Sequence, residues 1–144
     1  MKTHLVVHHS LTRDSETVSW QAIRRYHKSK GWIDVGYHYG VEGISGEYEM
    51  LVGRPVLSRA AAAHEAGMNR LGVHVCFVGN FDDGPPPEKM LSFAIPHLTD
   101  ICEALRIPID REHVIGHREV APYKTCPGSQ FDLDLFVERL QARR

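Results

Sequence analysis

The sequence predicts a single α/β domain in which a mixed central β-sheet is flanked by helices. Three observations lead there. Short apolar, β-branched runs interleave with segments of helical period. One pair of alternating segments brackets a Gly-containing turn, so part of the sheet is antiparallel. No internal repeat, low-complexity tract or linker divides residues 1–144, which read as one domain.

Each element has its own warrant. Leu5 to His8 is a short buried strand. Residues 17–30 form an amphipathic helix, with Thr17 able to cap it, Trp20, Ile23 and Tyr26 at three-residue spacing, and Lys28, Lys30 and Gly31 marking its end. Tyr37 to Val41 and Tyr48 to Val52 alternate around Gly43, Ser45 and Gly46, as a hairpin does. Val73 to Val78 is a nearly continuous apolar run and suits a central strand. Gly84-Pro85-Pro86-Pro87 breaks the chain, and Pro87 fits the first turn of the next helix. That helix gathers Met90, Leu91, Ala94, Leu98, Ile101, Cys102 and Leu105 on one broad face. Pro96 falls in its middle, where it removes the hydrogen bond to Ser92 and predicts a kink. His113 to Ile115 is a short strand, and residues 132–142 make a last helix built on Leu133, Phe136 and Leu140.

Composition excludes several functions. Seventeen Lys and Arg against 18 Asp and Glu give a net charge of −1, without the basic excess of a phosphate-tracking nucleic-acid binder. With 42% hydrophobic residues and no long run of like charge, the chain is not disordered. Cys76, Cys102 and Cys126 match no disulfide framework and contain no C-x-x-C. The Leu5-Val6-Val7 run is too short for a signal peptide, and nothing nears the roughly 18 apolar residues of a membrane span. The expectation is synthesis in the cytoplasm without a signal peptide and no membrane insertion. Ten histidines are the unusual entry in the composition.

Motifs narrow the chemistry. His64-Glu65 is followed by Met68 where H-E-x-x-H needs a second histidine, and there is no P-loop, G-x-G-x-x-G or G-x-S-x-G. What remains is a histidine–cysteine constellation. Zinc prefers imidazole nitrogen and thiolate sulfur, and a catalytic site offers three ligands and leaves a position open. His117 and Cys126 share one Pro-punctuated loop, and His8 or His9, ending the first strand, can add a third ligand. Strand alternation puts those two on opposite faces, so only one of them reaches a metal.

Five ordered blocks carry a resemblance. They are Val6-Val7-His8-His9-Ser10, Gly31-Trp32-Ile33-Asp34-Val35-Gly36-Tyr37-His38-Tyr39, His64-Glu65-Ala66-Gly67-Met68-Asn69, Phe77-Val78-Gly79-Asn80-Phe81-Asp82, and Gly116-His117-Arg118-Glu119-Val120-Ala121-Pro122 through Lys124-Thr125-Cys126-Pro127. Together they resemble the zinc-dependent N-acetylmuramoyl-L-alanine amidases of the type-2 family, which includes amidase-type phage lysozymes and peptidoglycan recognition proteins. The resemblance implies an amidase catalytic domain over residues 1–144 that cleaves the bond between N-acetylmuramic acid and L-alanine of peptidoglycan. It also implies Zn2+ as cofactor, with His8, His117 and Cys126 as metal ligands, Tyr37 and Lys124 as catalytic residues and His64 as a substrate-binding residue. The partner is peptidoglycan or a muropeptide, with no nucleic acid. The first reading is a phage or prophage endolysin that acts on the cell wall after release. The alternatives are a cytosolic muropeptide-recycling amidase, and a non-catalytic peptidoglycan-binding protein on the same fold. Recognition members typically lack the metal-binding cysteine, so Cys126 favours the enzyme.

Several residues keep two readings. His9 and His38 either line a groove or serve structural hydrogen bonds. Glu119 is either a carboxylate behind a ligand or a surface group. Cys76 and Cys102 are expected in the core. Arg24, Arg25, Lys28 and Lys30 are a solvated helix face or a contact for anionic wall polymers. Two features depart from the family pattern: His74 stands where a glycine is usual, and Tyr123 adds a residue before Lys124.

Overall fold

The computed structural model describes residues 1–11 and 20–143. The predicted start of the first helix, including the Thr17 cap, lies outside the described residues. The strands are β1 (His4–His9), β2 (Tyr39–Ile44), β3 (Glu47–Val52), β4 (Gly72–Phe77) and β5 (Val114–Gly116). The helices are α1 (Trp20–Ser29), the short α2 (Met68–Leu71), α3 (Glu88–Leu105) and α4 (Leu133–Arg143). The sheet runs β3-β2-β4-β1-β5. Every neighbouring pair is parallel except the β2–β3 hairpin, so the mixed α/β sheet expected from the sequence is present.

Alternation along the strands sorts side chains into two layers. Leu5 and Val7 of β1, with Val73, Val75 and Phe77 of β4, face α3 and α4. There they meet Met90, Ala94, Leu98 and Cys102 from α3 and Phe136, Val137 and Leu140 from α4. Val6, His8, His74 and Cys76 point to the opposite side. Among the described residues that side has two small apolar clusters, one around Trp20, Ile23, Val35, Cys76 and Val78, the other around Val6, Ala63, Met68 and Ile115.

Three local expectations shift. The hairpin turn is tighter than predicted: Ser45 and Gly46 alone connect the strands, and both have positive φ, as a type I′ turn requires. Tyr37 and His38 fall just before β2, because the His74 backbone N–H donates to His38 Nδ1 (2.9 Å) rather than to a main-chain carbonyl. On α1 the buried residues are Trp20, Ile23 and His27, while Tyr26 is exposed, since a 3.6-residue turn brings the seventh residue back to the inner face rather than the sixth. α3 spans 18 residues with Pro96 inside it.

The lower rim of the sheet is held by a buried cation. Lys2 Nζ donates to the carbonyl oxygens of Ser58 (2.8 Å), Arg70 (3.0 Å) and Gly72 (3.0 Å), tying the start of β1 to the segment entering β4.

Candidate metal centre and groove

Strand register assembles the centre. β1 and β5 are parallel neighbours in which Val7 pairs with Gly116, so the next residues, His8 and His117, emerge side by side at the carboxyl ends of the strands. Ligand sites in open α/β sheets favour that edge. The two rings lie 4.9 Å apart between centroids.

Cys126 is returned to this point by a pinned loop. The Arg118 backbone N–H donates to Cys126 O (2.7 Å), and its guanidinium donates to the carbonyls of Gly128 and Phe131. From the other side, Asp82 accepts from the Thr125 hydroxyl (2.9 Å) and the Ser129 N–H (2.8 Å). Sγ of Cys126 then sits 3.6 Å from His8 Nδ1 and accepts the His9 N–H at 3.4 Å.

Among the described residues, His8, His117 and Cys126 are the one group of three or more His, Cys, Asp or Glu side chains whose ligand atoms converge, all within 4.8 Å of one another. Donors at zinc-like bond lengths around a tetrahedral centre stand about 3.5 Å apart for a nitrogen–sulfur pair, and the 3.6 Å pair matches that. Two imidazoles and a thiol are a donor set that zinc accepts, and all three residues are buried.

Electrostatics suit ligation. Burial, followed by the neighbouring His74 and His117, pushes His8 well below the usual histidine range, so its ring is neutral. Burial also lowers His117, while its hydrogen bond to Glu65 works against that shift. Burial raises the Cys126 thiol to about 11, against the His9 N–H and the charges of Lys124 and Arg118, which favour the thiolate. A bound cation adds to that opposing set, because a coordinating thiol is deprotonated by its metal.

Sequence reasoning missed the carboxylate behind His117. Glu65 Oε1 lies 3.2 Å from His117 Nε2, and the Tyr123 hydroxyl donates to its other oxygen. An ionised carboxylate only accepts, so His117 donates through Nε2 and its Nδ1 is left free. Glu65 is held ionised, down to about 2: burial works to raise it, and the hydrogen bonds from Tyr123 and His117 outweigh that effect. Glu119, which the sequence offered for this role, instead accepts the Gly116 N–H (2.9 Å) and pairs with Arg111 (2.9 Å). The signal available was only that Glu65 and Tyr123 lay in or beside family-like blocks.

A groove of about 800 Å³ opens over the centre, lined among others by Tyr26, Lys30, Trp32, Tyr37 and Lys124. The Tyr37 ring, which carries the phenol hydroxyl, is 5.2 Å from the His8 ring. Burial holds that hydroxyl protonated. Lys124 is exposed at the rim, and its charge acts on His8, His117 and Cys126 alike. His64 is placed apart from these. Its side chain is 80% exposed and borders an adjoining recess with Glu65 and Asn69. His9 turns to the other face, where Nδ1 accepts the Phe81 N–H (3.1 Å), and His38 is a structural bridge between β4 and Ser58 O. Cys76 and Cys102 are fully buried, as expected. Arg25, Lys28 and Lys30 are exposed, and Arg24 pairs with Asp34 (2.9 Å). No helix among the described residues is long and apolar enough to cross a membrane.

The chain is similar to known proteins over nearly all its length. The family model described as N-acetylmuramoyl-L-alanine amidase matches residues 2–129. The endolysin of Escherichia phage T7 is 34% identical over 140 residues, covering 94% of this chain and 85% of that protein. The endolysin of Enterobacteria phage K11 is 35% identical over 133 residues, covering 92% and 83%. Among solved structures, N-acetylmuramoyl-L-alanine amidase LysC from Clostridium intestinale superposes with a TM-score of 0.80 at 21% identity, covering 97% of this chain and 85% of that one.

Proposed function

The chain belongs to the N-acetylmuramoyl-L-alanine amidase family, and we propose that it works as a zinc amidase of the endolysin kind, with residues 1–144 as its catalytic domain. It hydrolyses the amide bond between the lactyl group of N-acetylmuramic acid and the L-alanine of the stem peptide, and its substrate is peptidoglycan or a muropeptide. The cell wall is the proposed place of action.

The observation that carries the zinc reading is the convergence of His8, His117 and Cys126 within 4.8 Å at the base of the groove. These three residues would hold the ion. Zinc, when bound, lowers the pKa of water to about 7 and polarises a carbonyl. The protein's own groups supply the rest. Lys124, at the rim, places an ammonium where negative charge develops on the carbonyl oxygen of the scissile amide. Tyr37, protonated beside His8, orients the attacking water or relays a proton as water adds and the C–N bond breaks. The proton has to end on the alanine nitrogen, which leaves as a free amine. His64, in the adjoining recess, is assigned to the substrate beyond the reacting bond. The groove's Trp32 and Tyr26 add apolar surface beside these polar groups, the usual make-up of a ligand site.

The test is incubation of purified, zinc-loaded protein with peptidoglycan, followed by mass spectrometry. Intact glycan strands with stem peptides bearing a free N-terminal alanine are expected, and a chelator should stop their release. Disaccharide fragments, or release that persists after zinc is stripped, would overturn the reading.

A further inference from the structure

The proposed reaction does not use the buried imidazole of His74. His74, on β4, is fully buried on the site face of the sheet, at a position where the family resemblance leads one to expect glycine. Its Nε2 lies 2.7 Å from the Met68 carbonyl oxygen, and its Nδ1 lies 2.8 Å from Nε2 of His8. The two rings meet edge to edge, with centroids 5.1 Å apart and planes inclined by 30°.

Donor and acceptor roles follow from the two ends of the pair. A carbonyl oxygen can only accept, so His74 Nε2 carries a proton and donates to Met68. His8 Nδ1 is the nitrogen turned to Cys126, and a lone pair there for the ion requires the His8 proton on Nε2, the atom 2.8 Å from His74 Nδ1. A neutral imidazole has one donor and one acceptor, so His74 Nδ1 accepts the hydrogen bond from it.

His74 is itself held rigidly enough to impose this. Its backbone N–H donates to His38 Nδ1 (2.9 Å), and its carbonyl accepts the His38 N–H (3.0 Å). His38 Nε2 donates in turn to Ser58 O (2.8 Å). Space for the ring comes from Gly72, where an added Cβ would stand 2.8 Å from His74 Nε2.

We propose that His74 is a positioning residue for the metal centre: it holds His8 as the Nε2–H tautomer and fixes its ring so that Nδ1 is presented to the ion. The proposal rests on the reading of His8, His117 and Cys126 as ligands. Histidine ligands usually donate their second nitrogen to a carboxylate, a carbonyl or water. Here His117 follows that pattern through Glu65, whereas His8 donates to another imidazole. The two histidines are therefore unequal: His117 is backed by a negative charge and His8 by a neutral acceptor.

Two measurements test this. Nitrogen-15 NMR of the metal-free full chain, labelled at histidine, reads the tautomer directly and needs no variant. The expected result is a His8 proton on Nε2 with a bare Nδ1, and a proton on Nδ1 overturns the proposal. Zinc affinity, by competition with a chromophoric chelator, reads the consequence. His74→Leu fills the space but accepts nothing, and is expected to weaken zinc about 10- to 100-fold, whereas His74→Asn, whose Oδ1 accepts near the place of Nδ1, stays within about threefold of the original chain. Equal affinity in both variants and the original chain overturns the proposal, as does an equal loss in the two variants. Cys126→Ser, titrated beside them, separates two failures. If it binds zinc as tightly as the original chain, the ligand reading itself is wrong. If it loses zinc while His74→Leu keeps it, only the role of His74 is wrong.

Discussion

Val7 and His8 are consecutive in β1, both almost wholly buried, and they live in different chemical worlds. Val7 belongs to a continuous apolar layer under α3 and α4. His8 belongs to a face where imidazoles, a thiol and a phenol touch one another and apolar packing is reduced to two small clusters. The apolar face buries large side chains whose removal from water stabilises the domain by about 1.5–3 kcal/mol each. The site face buries polar groups, which is tolerable only where each finds a partner. Here Glu65, His74, Met68 O and Ser58 O supply those partners. One side of a single sheet thus holds the fold while the other holds a reactive constellation in place.

That division can be attacked from either side. Cys126→Ser should have the largest effect: stoichiometric zinc is lost, and amidase activity falls on the order of 10⁴-fold or more, about 5 kcal/mol of barrier, with little change in the metal-free melting curve. Metal analysis beside a peptide-release assay checks it. Phe136→Ala, on the other face, should cost about 3–5 kcal/mol of stability by denaturant unfolding while the remaining folded molecules bind zinc normally. If instead it reduces zinc affinity in proportion, the faces are coupled and the comparison fails. Lys124→Ala should lower kcat about 10²- to 10³-fold with the metal retained. Glu65→Gln removes the charge behind His117 and should weaken zinc about tenfold by chelator competition.

The smallest effect concerns the loop that returns Cys126. Asp82 is held below the usual carboxylate range, chiefly by the Ser129 N–H and the Thr125 hydroxyl. A depressed carboxylate stabilises the folded state above its unfolded pKa and loses that contribution as pH falls through the folded value. The difference in thermal midpoint between the original chain and Asp82→Asn should therefore be largest near neutral pH and shrink once pH drops below the unperturbed 3.8. A difference that stays constant with pH would show that the Asp82 charge does not hold the loop.

Much of the fold was legible because strands and helices announce themselves by period. Alternation alone separated His8 from His9, and the apolar runs marked β1, β4 and α3. The ordered motifs also named His8, Tyr37, His117, Lys124 and Cys126, which stand together around the groove, and His64, which lies apart from them. What escaped were contacts between distant loops and strands. Glu65 and His117 are 52 positions apart, and His8 and His74 are 66 apart, so no local spacing records that they touch. Glu119 was the nearer carboxylate in sequence, but the short helical turn at His117–Glu119 folds it back onto Gly116. Tyr26 was misplaced for a subtler reason. Three-residue spacing runs ahead of the 3.6-residue turn, and by the third repeat His27 has taken the inner position.

The parallel pairing of β1 has a consequence for how the molecule comes into being. Among the described residues β1 pairs with β4 and β5 alone, so it finds no partner until about half of the chain exists. Contacts of such long sequence separation form slowly, because loop closure must be met before they reward the chain. His8 and Cys126 are separated by 118 positions. A nascent or half-folded chain therefore holds the donors of the proposed metal centre far apart, and hydrolytic competence arrives only with the finished sheet. Zinc uptake, followed in time during refolding, would act as a clock for that last step.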